Sequence, residues 1–73
     1  MAKIKQQDKD KIIGEFETMK AIEASARDLY IRISSDPRVE DEGIKNTFKM
    51  IAKEEEQHVE LVQKFIDIVN ISL

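Results

Sequence analysis

A chain of 73 residues without a cysteine makes one small domain, with disulfides, thiolate metal sites, Fe–S clusters and cysteine nucleophiles excluded. Charged residues at 37%, aromatics at 5%, two Gly and one Pro favour long helices with solvated faces over a sheet. The formal net charge of −3 gives no electrostatic reason for a nucleic-acid or anionic-membrane partner, and no run nears the roughly 18 apolar residues that span a bilayer.

In chain order, the opening MAKIKQQDKDK is basic with no apolar run behind it, unlike a signal peptide, so a cytoplasmic location is expected. The first ten residues carry no apolar seam and are expected to fray. From Ile12 onward apolar residues recur at alternating steps of four and three: Ile12, Phe16, Met19, then Ala26, Tyr30 and Ile33. Residues three and four apart share one helical face, so this spacing predicts an amphipathic helix over about 9–34. Ser34-Ser35-Asp36-Pro37 then stops it, with Val39 tucked under the turn and Gly43 near the start of the next regular stretch.

A second seam, Ile44, Phe48, Ile51, Val62, Phe65 and Val69, predicts a helix over about 41–70. Its outer face, with Lys49, Lys53, Glu56, Glu60, Lys64 and Asp67, is ordinary solvated surface. Its inner face is broader than one neighbour can cover, with Ala52, Val59 and Ile66 on one flank and Leu61 and Ile68 on the other. The expected fold is therefore all-α: residues 1–73 form one antiparallel two-helix hairpin that dimerises into a four-helix bundle.

Both seams break their own rule at the centre. The place between Met19 and Ala26 is Glu23, and the places between Ile51 and Val62 are Glu55 and His58. Burying a carboxylate without compensation costs several kcal/mol, so these groups need a partner. In an antiparallel hairpin two residues share a height when they are equally far from the turn. The midpoint of 23 and 55 is position 39, inside the predicted turn, so Glu23 and Glu55 should face each other with His58 one turn away. Two copies would assemble four carboxylates and two imidazoles, a set that two divalent cations would neutralise. The oxygen-rich, nitrogen-containing donors suit iron or manganese, with zinc also open. A Glu from each of two helices plus Glu-x-x-His from each of the other two is the inward-facing pattern of di-iron bundles.

The segments that carry these residues also resemble a known family. IEASARDLY (22–30) resembles the first metal-binding helix of rubrerythrin-type proteins, and IAKEEEQHVELV (51–62) resembles their second. The likeness covers about residues 12–70 and implies a ferritin-like, di-iron carboxylate protein. Those domains usually carry four helices in one chain, so this two-helix sequence is more similar to encapsulated ferritins, whose short subunits build the iron site across a dimer interface. The resemblance implies Glu23, Glu55 and His58 as iron ligands and Tyr30 as a hydrogen-bonding neighbour of the site. It implies ferroxidase or peroxidase-type chemistry, in iron handling or oxidative-stress defence. No four-cysteine rubredoxin segment is present, so peroxide reduction would draw on an external electron donor. Encapsulated ferritins also carry a C-terminal shell-docking extension, and in this sequence, which runs to Asn70-Ile71-Ser72-Leu73, shell targeting has no sequence support.

Other conspicuous residues read as structural. Glu54 and Glu56 are assigned to the surface, Glu15 and Glu17 to solvent, and Met19 and Met50 to packing. The competing reading of the whole chain is a non-catalytic helical dimerisation module, in which the buried polar layer only sets register.

Overall fold

Helix α1 covers Gln6–Ser35 and helix α2 covers Glu42–Ser72 in the computed structural model, which describes residues 4–72. The antiparallel hairpin expected from the seams is present. α1 starts three residues before the expected position and α2 runs two residues past its expected end. Of the ten residues expected to fray, 6–10 are helical, and Met1, Ala2 and Lys3 lie outside the described residues. The early start of α1 has no side-chain cap. It is held instead by Lys9, whose backbone N–H donates to the Lys5 carbonyl at 2.9 Å and whose ammonium donates to the Asn70 carbonyl at 2.9 Å. Asn70 lies in the last turn of α2, where carbonyls lack intrahelical partners and attract a cation.

The turn works as its composition suggests. Pro37 cannot continue a helix and restricts the residue before it to extended backbone, and Asp36 sits there at φ −70°, ψ 123°. The Asp36 N–H donates to the Ile33 carbonyl at 3.2 Å, and the Val39 N–H donates to the Asp36 carbonyl at 3.0 Å. The Asp36 carboxylate accepts from the Arg38 backbone N–H at 2.9 Å and from its guanidinium at 2.6 Å, bonds that hold the carboxyl below its ordinary range. Asp41 then caps α2: its Oδ1 accepts the Ile44 N–H at 3.1 Å. A Cβ on Gly43 would come within 3.0 Å of that same oxygen, so glycine leaves room for the cap.

The seam between the helices is rotated from the expected one. The periodicity places Ile44, His58 and Phe65 on it, yet Ile44 and Phe65 are among the exposed apolar residues, and His58 is exposed as well. The positions that close on α1 are Phe48, Ala52, Glu55, Val59, Val62, Ile66 and Val69, of which Ala52, Val62, Ile66 and Val69 are buried. The flank expected to seal a larger bundle is thus the flank that meets α1. A face of this width can offer one helix only half of itself. The half with Ala52 and the β-branched Val59 and Ile66 admits the closer approach. The aromatic rings form two layers, Phe16 with Phe65 at 5.7 Å between centroids and Tyr30 with Phe48 at 5.9 Å.

Two helices side by side cannot enclose a core. The hairpin measures 56 × 16 × 11 Å with a radius of gyration of 16.7 Å, against roughly 11 Å for a compact chain of this length. Its accessible surface is 5635 Å², where a compact chain of this mass shows roughly 4,700 Å². Neither helix, over the described residues, is long and apolar enough to cross a membrane.

Candidate metal centre

The two aromatic layers bracket the polar layer. Glu23 projects from the middle of α1 and Glu55 from the middle of α2, each with apolar neighbours one turn along its own seam. The heights match as expected. One donor atom from each of Glu23, Glu55 and His58 lies within 4.8 Å of the others. His58 Nδ1 is 3.0 Å from Glu23 Oε2 and 3.9 Å from Glu55 Oε1. An ionised Glu23 can only accept, and against it His58 would donate from Nδ1.

The environment of the three groups is uneven. The side chains of Glu23 and Glu55 are 25% and 21% exposed, whereas that of His58 is 55% exposed. Glu55 carries the electrostatic strain of the layer. A hydrogen bond shared with Glu23, partial burial and the like charge of Glu23 raise its pKa, and the nearby His58 offsets only part of this.

The donor set fits one small divalent cation. Ligand atoms about 2.1 Å from a metal lie roughly 3.0–3.4 Å from each other in octahedral or tetrahedral geometry. The observed separations from His58 are 3.0 and 3.9 Å, at and just above that range, within a donor set that lies inside 4.8 Å. Three protein donors leave further coordination positions open, and His58 faces outward on the side from which they would be filled.

That outward side is lined with apolar groups. On α1, Met19, Ile22 and Leu29 are exposed at helical spacing, Ile22 by 65%, with half-buried Ala26 and Ile33 beside them. On α2, Ile44, Leu61, Phe65 and Ile68 are exposed along the same edge as His58. Met19 and Met50, expected as packing residues, are exposed in the single chain; Met19 belongs to this edge. Tyr30 is one heptad from Glu23, about 10 Å along the axis. Among the described residues its hydroxyl makes no hydrogen bond to the three; its ring packs on Phe48.

The opposite long edge is polar. Lys20 Nζ donates to Gln63 Oε1 at 2.5 Å, and the Arg27 guanidinium donates to Glu56, ion pairing that raises the pKa of Arg27. Arg27 also meets Asp28 at 3.0 Å. Glu56, assigned from the sequence to the surface, is therefore an interhelical contact. Equal height alone does not find these pairs: 20 with 63 and 27 with 56 centre on 41.5 rather than on 39, although each residue stands one position off the seam. Next to this pairing lies an open groove of about 650 Å³ lined by Ile31, Ser34, Lys49, Ala52 and Lys53.

No protein-family model, curated protein or solved structure gives a significant match to the chain. The reading of the site accordingly rests on its own geometry and chemistry.

Proposed function

We propose that the chain is a ferritin-like half-bundle that binds a di-iron centre between two copies and oxidises Fe(II) with O₂ or peroxide. The observation that supports this most is the convergence of Glu23, Glu55 and His58 within 4.8 Å on an edge lined by exposed apolar side chains. A second copy laid on that edge covers Met19, Ile22, Leu29, Leu61, Phe65 and Ile68. The same contact brings a second set of two carboxylates and one imidazole to the first. The polar edge, already closed by its own pairs, has no such need.

The protein's own part is the placement and charge of its donors. Glu23 and Glu55 would hold metal as carboxylates, whose mutual repulsion a cation relieves. His58 gives up its hydrogen bond to Glu23 and supplies a neutral nitrogen donor. When bound, a pair of Fe(II) ions supplies the two electrons that reduce O₂ or peroxide and is left as Fe(III). The four carboxylates of a dimer favour that more highly charged product. The Phe16–Phe65 and Tyr30–Phe48 pairs flank the layer along the hairpin.

Oxygen uptake on addition of Fe(II) to the metal-free protein tests this reading. Wild-type protein is expected to consume O₂ well above the buffer rate, and Glu55→Ala and His58→Ala to fall to it. Uptake that survives both substitutions would remove the proposed site. Stable dimers that bind no metal would instead favour the dimerisation module.

A further inference from the structure

The central layer lacks the force that holds the rest of the hairpin shut. Elsewhere along the seam apolar side chains meet, Phe16 with Phe65 on one side and Tyr30 with Phe48 on the other. At the level of Glu23 the carboxyl groups of Glu23 and Glu55 meet instead, and like charges brought together repel. The structure nevertheless holds the helices close enough for all three donors to converge.

The polar contacts that bridge the helices sit where this repulsion acts. Arg27 is one helical turn from Glu23, and its partner Glu56 is the chain neighbour of Glu55. Lys20 and Gln63 make the equivalent bridge one heptad away, so Glu23 lies between the two bridges. Both bridges lie on the edge facing away from His58, so neither offers a donor to the cation. The Arg27 side chain is only 27% exposed, which makes its pairing with Glu56 less screened than an open surface pair.

The geometry points to Arg27 as a positioning residue that, through Glu56, clasps the back of the hairpin and keeps the Glu23–Glu55 layer closed before metal arrives. Its value for metal binding rests on the di-iron reading above; its effect on the metal-free hairpin does not. Without the clasp, the carboxylates relax by parting. Each metal ion must then draw them together again at a cost in affinity, as happens when supporting groups of metal ligands are removed.

The test uses the full chain with spin labels on cysteines placed at Ser25 and Gln57, diluted into unlabelled protein so that only distances within a chain are read. Arg27→Met, which keeps much of the aliphatic stem, is expected to lengthen and broaden the metal-free distance distribution. The charge-exchanged pair Arg27→Glu with Glu56→Arg is expected to restore it. A distribution unchanged in Arg27→Met would overturn the clasp. Co(II) titration of the unlabelled proteins adds the positioning readout. Arg27→Met should weaken binding by about 10-fold or more and alter the visible Co(II) bands, and the exchanged pair should recover both. Equal affinity and an unaltered spectrum would refute the positioning role. Wild-type protein that bound no Co(II) would count against the metal reading and against Arg27 as its positioning residue, and the metal-free distances would still decide the clasp.

Discussion

The two long edges of the hairpin come from the same two helices and have opposite characters. On one edge Lys9, Lys20 and Arg27 reach across to Asn70, Gln63 and Glu56, and polar groups are paired within the chain. On the other, Met19, Ile22, Leu29, Leu61, Phe65 and Ile68 remain exposed around His58 and its contact with Glu23. A closed edge and an unfinished one, on a body too thin to hold a core, indicate which side another chain would complete. They also place Glu23, Glu55 and His58 beside the apolar side, so that in the proposed dimer covering the apolar surface and completing the donor set would be one event.

A charge placed on the open edge breaks this asymmetry most severely. Leu61→Glu would bury an unpaired carboxylate from each copy, and the proposed dimer should weaken by roughly a thousandfold or more, about 4 kcal/mol. Sedimentation velocity is expected to show a dimer for wild type and a monomer for Leu61→Glu. The corresponding change on the outer face, Lys64→Glu, should leave the mass unchanged. If both behave alike, the edges are not different.

The next effect concerns the seam inside the chain. Ile66 is buried, and Ile66→Ala should cost about 2–3 kcal/mol, at the lower end of such truncations because a two-helix seam can partly collapse. Chemical denaturation would register it. A negligible change would show that the seam runs instead through Phe65, as the periodicity alone suggests.

The carboxylate layer makes a smaller, pH-dependent contribution. The pKa of Glu55 is raised above its ordinary 4.5 in the folded chain. Folding therefore strengthens proton binding there. That stabilisation is fully present below pH 4.5 and is lost as pH rises through the raised value. Melting temperatures of metal-free protein should fall over that rise, and Glu55→Gln should flatten the trend. A Glu55→Gln profile parallel to wild type would place the titration elsewhere. Last and smallest, Gly14 has no heavy atom within 4 Å of where a Cβ would stand. Gly14→Ala should gain about 0.5–1 kcal/mol from helix propensity alone, with metal binding unaffected.

Much of this was legible in the residues. Alternating steps of four and three gave both helices, and Asp36-Pro37 gave the turn. The equal distance of 23 and 55 from that turn gave the meeting of Glu23, Glu55 and His58. The rotation of α2 was not legible, because the apolar face from Ala52 through Val62 to Phe65 is wide enough for two seams. Only contact with α1 selects one of them. The exposure of His58 follows from that rotation, and so does the free stripe beside it. Glu56 was missed for a related reason. Among Lys49, Lys53, Glu60 and Lys64 it looks like any solvated charge, and only the helix opposite gives it Arg27. Tyr30 stands one heptad from Glu23 with its ring on Phe48.

The central claim is that metal and partner complete one site. It is tested most directly by titrating Fe(II) anaerobically into metal-free protein while its mass is followed in solution. Binding that saturates at about two ions per two chains, with dimer and metal gained together and lost together in His58→Ala, is the predicted result. A protein that is equally dimeric and equally stable with or without Fe(II), and that retains no iron, would contradict it.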